Sequence, residues 1–354
     1  MERRIKQMKM TIKEIADLAG VSITTVSQIL NNKGGRFSAT TRKRVLDVVE
    51  KYHYKADFFA SSMITRHSKT IGMIVPDVTD FFFSKIIEGV EAFLNASGYM
   101  IVLCNSQSNP EKEERYLEDL LHRSVDGIIL ATPNLQSDKF DFQGNTVEGV
   151  PFLLIDRGHN RRKGGKLLVE EFQGVYTALD YLVEHGHRHI GFLREKEGYY
   201  TLCDRFAAYQ EIVEHYQLPF KESYVAQGPL NIDGGYEAAR EVLKNPEITA
   251  IFCGNDEMAI GCYHAIDEAH KKIPDDISVI GFDGLEISRY VVPTLSTITQ
   301  PAFEIGYTAA KFLLRSIETA GGLVPNKVFA TKFVRRNSIK SLTASKTGDT
   351  ILFK

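Results

Sequence analysis

The 354-residue sequence has no run approaching the roughly 18 consecutive apolar residues of a membrane-spanning helix. Its charged start, Met1-Glu2-Arg3-Arg4, leads into no apolar stretch resembling a secretion signal, so a cytoplasmic location without membrane contact is expected. Cysteine is scarce. The four thiols, Cys104, Cys203, Cys253 and Cys262, form no C-x-x-C pair, which argues against a disulfide frame or a zinc site and for reduced, buried side chains. The phosphate-cradling P-loop, a G-x-G-x-x-G turn after a strand, the G-x-S-x-G elbow and the H-E-x-x-H helix are all missing, and neither an enzyme nor a cofactor is expected. His185-Gly-His187-Arg-His189 is the most metal-like spacing in the chain. It spans a helix end and a strand start, where His185 can meet the last helix carbonyls, so no metal site is expected.

Net charge is also small, at −2, but it is unevenly spread. Residues 1–70 carry 14 Lys and Arg against 6 Asp and Glu, a surplus of +8, which leaves −10 for the remainder. A basic segment joined to an acidic body suits a polyanionic partner for the segment alone. Residues 1–9 are expected to be a disordered lead-in. Thr11-Ile-Lys-Glu14 then reads as a capping box, with Ile12, Ile15, Ala16 and Ala19 at helical spacing behind it. Gly20-Val21-Ser22 stops that helix and starts a second, from Ser22 to about Asn31, which buries Val26, Ile29 and Leu30 and turns Thr24, Thr25, Ser27 and Gln28 outward. A third helix fits Thr40–Tyr52. Three short helices around a glycine turn, with hydroxyl and amide side chains on the second, match what the DNA major groove admits.

The stretch from Thr11 to Asn32, TIKEIADLAGVSITTVSQILNN, resembles the opening signature of the lactose- and galactose-repressor family. That resemblance implies that Ile23, Thr24 and Gln28 read bases and that Ser22, Thr25 and Ser27 stand near phosphate, with Thr11 and Asn31 completing the DNA-facing set. Gln28 stands where arginine is common in the family. Glutamine pairs bidentately with adenine and arginine with guanine, so a changed operator preference is expected there. Residues 57–69 are expected to form a hinge helix and linker, in which Ala60 and Ser62 match the family and Met63 takes the place of the leucine that wedges into the minor groove. Ala56, Asp57 and Ser61 depart from the usual hinge pattern.

From Thr70 onward, continuous apolar runs alternate with helices of about a dozen residues. Strands are expected at Ile71–Val75, Met100–Leu103, Gly127–Leu130, Phe152–Ile155, Ile190–Leu193, Ala250–Cys253 and Val279–Phe282, with helices between them, the first over Ser84–Ala96. The expected fold class is α/β: a three-helix helix-turn-helix domain over 10–56 and a hinge helix, then two doubly wound parallel lobes over 70–340, and a tail over 341–354. Segments 184–191, 255–261, 274–283 and 293–301 are similar to signatures of the same family's effector domain, whose fold is that of periplasmic sugar-binding proteins. The resemblance implies effector contacts at Phe82, Phe83, Asp156, Arg205, Asn255, Asp256 and Asp283, since a sugar needs carboxylate and amide partners and an aromatic face. Glu170-Glu171 in place of Asp-Asn, and Ala208 in place of glycine, point to a different ligand from the best-known cases. Leu295–Phe303 most resembles ribose and sucrose repressors. The expected protein is a homodimer, possibly a tetramer, that reads a near-palindromic operator and lets go when a pentose, a hexose or a small sugar phosphate binds. Its rivals are a regulator driven by a phosphorylated carrier protein, a transport-type sugar-binding protein, and a sugar-modifying enzyme.

Overall fold

The computed structural model describes residues 10–30, 34–54, 67–131, 139–155, 165–195, 204–319, 322 and 324–343. The chain divides into two compact units between Ser68 and Lys69. In the first, α1 (Ile12–Ala19), α2 (Ile23–Leu30) and α3 (Ala39–Lys51) close around Ile15, Ala16, Ala19, Val26, Ile29 and Val45. The capping box is complete: the Thr11 hydroxyl accepts from the Glu14 amide, and the Thr11 amide donates to Glu14 Oε2 at 2.7 Å. Gly20 ends α1 at φ 62°, ψ 41°, a left-handed turn that a side chain resists. The third helix starts one residue earlier than its apolar pattern suggests because Ser38 caps it through the Thr41 amide. Of its apolar residues Leu46 is exposed, as is Tyr52 at its C-cap, and Val48 and Val49 are half-buried.

The second unit contains two sheets. In the first lobe, β1 (Thr70–Val75), α4 (Phe81–Ala96), β2 (Met100–Asn105), α5 (Pro110–His122), β3 (Gly127–Leu130), the short hairpin β4 (Phe142–Gln143) and β5 (Thr146–Val147), β6 (Val150–Ile155) and β7 (Lys166–Val169) follow in order. The second lobe adds α6 (Glu171–Glu184), β8 (Ile190–Glu195), α7 (Asp204–His215), β9 (Val225–Gly228), α8 (Ile232–Val242), β10 (Ala250–Cys253), α9 (Asp256–Glu268), β11 (Ser278–Asp283) and β12 (Ser296–Thr299). The chain then returns to the first lobe with α10 (Ala302–Glu318) and β13 (Lys327–Phe329) and ends in the second with β14 (Lys332–Val334). The first sheet runs β13-β7-β6-β3-β1-β2 and the second β14-β12-β11-β10-β8-β9. Both are parallel along these paths except for β14, which lies antiparallel on β12; the hairpin strand β5 adds to β6 antiparallel. All six residues of β1 and of β11 are buried, as a strand covered by helices on both faces requires.

Each lobe brings one helix pair together through glycines. A Cβ on Gly306 of α10 would lie 1.9 Å from the Ile86 carbonyl oxygen of α4, and one on Gly89 of α4 would lie 2.1 Å from that of Phe303. Gly235 of α8 and Gly261 of α9 stand in the same mutual relation, at 2.2 Å from the Met258 oxygen and 2.0 Å from that of Ile232. A side chain there meets backbone, which cannot rotate away. Gly306→Val is therefore expected to lower stability by about 3 kcal/mol, and an unchanged urea midpoint would show that the helices can part without loss.

Candidate functional site

In α2 the Ser22 hydroxyl accepts from the Thr25 amide at 3.2 Å and lies 2.9 Å from Thr25 Oγ1. This cap places Ile23 and Thr24 at the exposed first turn, with Ile23 46% accessible despite being apolar. Ser27 and Gln28 lie half-buried on the next turn. An exposed apolar residue flanked by hydroxyls at a helix start, with an amide one turn on, is a surface that can meet base edges and methyl groups together. Asn31, Ala60 and Met63 lie outside the described residues, as does most of the expected hinge.

In the second unit, Arg205 begins α7 as expected and is 3% exposed. Its Nε donates to Glu171 Oε2 at 3.0 Å and its Nη2 to Glu171 Oε1 at 2.7 Å, a forked pair between helix starts. Its Nη1 donates to the Gly254 carbonyl, Asp283 Oδ1 stands 3.9 Å from Nη2, and the Phe282 ring centroid lies 3.7 Å from Cζ. Asp283 ends β11 at φ 106°, an uncommon conformation for a residue with a side chain, and its Oδ1 accepts from Gln300 Nε2. Asn255 caps α9 through the Met258 amide at 2.8 Å and donates to the Leu230 carbonyl at 3.1 Å. Asp256 is fully buried: Oδ1 accepts from the Thr297 hydroxyl and Oδ2 from the Leu285 amide, both at 2.6 Å. Burial pushes its carboxyl up to about 8, against the lowering effect of those two donors.

Between the lobes lies a cavity of about 350 Å³ whose lining comes from the loop after β1, the start of α4, the end of β2, the ends of β8 and β9 and the first turn of α9. Parallel sheets commonly hold ligands at such strand ends. Of the residues expected at the effector, Phe83 lines this cavity. Asp156 lies outside the described residues. Arg205, Asn255, Asp256 and Asp283 form a polar layer behind the lining, joined to it through Leu230 and Glu257. Phe82 is not among the lining residues: α4 begins at Phe81, not Ser84, because Asp80 caps it through the Phe82 amide, and Phe82 packs in the first-lobe core at 2% exposure. The three histidines take separate partners: His185 Nδ1 lies 2.7 Å from the Tyr181 carbonyl, His187 sits between Thr249 and the Lys340 carbonyl, and His189 meets the Tyr224 hydroxyl.

The lining also contains side chains beyond those expected at the effector. Asp77, Asp80, Glu195 and Glu257 reach it, together with Gln107, Ser108 and Asn231. Glu257 lies inside the 255–261 segment, of which only Asn255 and Asp256 were expected at the effector, and Glu195 ends a strand whose apolar core alone is legible. Burial raises the Glu257 carboxyl to about 7, helped by the nearby charges of Asp80, Asp283 and Asp77. In the unfolded chain it ionises near 4.5, so between 4.5 and about 7 the unfolded state sheds the proton first. Stability accordingly falls as pH rises through that window and stays on the lower plateau above it. Glu257→Gln is expected to flatten this portion and to gain on the order of 2 kcal/mol above neutrality. Urea midpoints at about pH 5 and pH 8 check it; a variant that keeps the parental slope would exclude Glu257 as the source.

Two family models match the sequence: bacterial regulatory proteins of the lacI family over residues 11–57, and a periplasmic binding protein-like domain over residues 179–339. Among the most similar curated proteins is the HTH-type transcriptional repressor PurR of Vibrio campbellii, 34% identical over 94% of this chain and 99% of its own length. Among solved structures, a LacI family transcriptional regulator from Enterococcus faecium with bound ribose aligns with 77% of this chain and all of its own, at TM-score 0.68 and 32% identity. The lac repressor dimer bound to operator and the anti-inducer ONPF aligns with 93% of this chain and 98% of its own at TM-score 0.81; at 23% identity, that match shows the fold.

Proposed function

Because the chain belongs to the lacI family of bacterial regulatory proteins, we propose that it represses genes of carbohydrate use as a homodimer on a near-palindromic operator and releases DNA when a small sugar enters the inter-lobe cavity. Its place of work is the cytoplasm, where the operator is, and no described helix is long and apolar enough to cross a membrane. The observation that carries the sugar reading is the polar layer of Arg205, Glu171, Asp283, Asn255 and Asp256 behind a cleft between two lobes of sugar-binding type. Such a layer fixes the rotamers of groups that a polyhydroxylated ligand would meet. Ribose in a regulator 32% identical to this chain supports the same class of effector. A ligand that bridges the lobes prefers one of their arrangements, and DNA is released if that arrangement is the one that binds operator worse.

The two apolar side chains most exposed in the second lobe, Tyr290 at 70% and Val292 at 90%, stand beside half-open Ile287 and suit a contact between two copies of the chain. The test is operator binding by the purified full chain on a sequence enriched from random DNA, with pentoses and hexoses titrated in. A fall in affinity with one of them is expected. Affinity that stays constant with every sugar would end the inducer reading.

A further inference from the structure

Among the described residues, the charged side chains that line the inter-lobe cavity are all of one sign: Asp77 and Asp80 from the first lobe and Glu195 and Glu257 from the second. Two of these have local duties: Asp80 caps α4, and Asp77 Oδ1 accepts from the amide and hydroxyl of Thr79 at 2.9 and 2.8 Å. Glu257 lies in the first turn of α9, where burial and the neighbouring Asp80, Asp283 and Asp77 raise its carboxyl to about 7. Glu195 has no such duty. It is 4% exposed, and its Oε1 is buried with no hydrogen-bond partner among the described residues. A buried carboxylate oxygen left without a donor costs free energy that a ligand's donor would restore.

We infer that this cleft selects a small cation bearing hydroxyl groups, an amino sugar by chemical class, over a neutral sugar or a sugar phosphate. The inference rests on the sugar reading above and sharpens it. An ammonium group near Glu195 would donate charge-assisted hydrogen bonds to its carboxylate, whereas a phosphate would face the like charges of Asp77, Asp80 and Glu195. The amide nitrogens of Asn231 and Gln107 remain for the ring hydroxyls, while their oxygens accept from the Gly234 amide and the Lys112 ammonium. Because the carboxylates come from both lobes, they oppose closure of the cleft when it is empty, and a cation between them relieves that repulsion. Among the described residues no group of three or more His, Cys, Asp or Glu side chains could hold a metal ion.

The test is calorimetric titration of the full chain near neutral pH with glucosamine, galactosamine and mannosamine, each beside its parent hexose and that hexose's 6-phosphate, and with spermidine as a cation without hydroxyls. One amino sugar is expected to bind about tenfold or more tightly than its parent hexose, with the phosphate weakest. Glu195→Gln is expected to reduce that preference to near unity, and Glu257→Gln to reduce it in part. A parent hexose that binds as tightly as its amine, a phosphate that binds best, or a preference intact in Glu195→Gln would each overturn the charge selection and leave the sugar reading standing. Spermidine alone binding would support the charge selection and end the sugar reading. If none of the compounds binds, the charge selection falls and the sugar reading passes to the pentoses.

Discussion

Arg205→Met is expected to cost about 3–5 kcal/mol of stability, to lower Tm by roughly 10 °C and to abolish the response of operator binding to effector. The guanidinium holds two carboxylates that are each less than 5% exposed, Glu171 and Asp283. Without it the Glu171 oxygens lose both prongs of their forked pair, and a charge stays in a place water hardly reaches. The double variant Arg205→Met, Glu171→Met removes the stranded charge and replaces a buried ion pair by apolar side chains, which is often neutral or favourable. Most of the melting temperature should return, while the effector response should not, because the polar layer behind the cleft is gone. Melting by circular dichroism and operator binding with and without sugar separate the two effects. A single variant that melts within a degree or two of the parent would show that Glu171 and Asp283 find other partners.

The second large effect belongs to α2. Gln28→Ala is expected to weaken specific operator binding by about 10–100-fold and to leave binding to random duplex nearly unchanged, since an amide that reads a base edge carries discrimination while phosphate contacts carry the rest. Gln28→Arg should keep affinity and move the preferred base from adenine toward guanine at one position of each half-site. Selection from random DNA with the parent and the variant reads this directly, and identical selected sequences would remove Gln28 from the base-reading set. The geometry is permissive: Ser22 and Thr25 satisfy one another at the helix start, so Ile23 and Thr24 remain the accessible residues of the first turn, with Gln28 one turn behind.

The elements legible in the sequence were those whose local signals agree with their burial. The capping box at Thr11, the glycine stop at Gly20 and the uniformly apolar core strands announce themselves because each needs only neighbours in the chain. What escaped depends on distant partners. The edge strands β9, β13 and β14 are short and mixed in polarity, so only pairing with a neighbour makes them strands. Lys166–Val169 is held the same way, by β6 on one side and β13 on the other. In the candidate site, Arg205 and Asp283 were legible at the start of a helix and the end of a strand. Glu195 and Glu257 were not, because a carboxylate at a strand end or in a helix's first turn looks alike whether it faces solvent or a buried cleft. The start of α4 was hidden for a different reason: Asp80 caps the helix earlier than the apolar periodicity begins, so Phe82 and Phe83 fall in its first turn and both pack in the first-lobe core.

The chain passes between the two lobes three times, between Val169 and Glu171, between Thr299 and Ala302, and between Phe329 and Lys332. Two of these passages are tied together where the Glu170 amide donates to the Phe329 carbonyl and the Thr331 hydroxyl to the Glu170 carbonyl. A protease that cuts one passage therefore leaves the halves joined by two others. The lobes behave like covers sewn to one spine at three stitches, free to open and shut about it and unable to drift apart or to be traded between molecules.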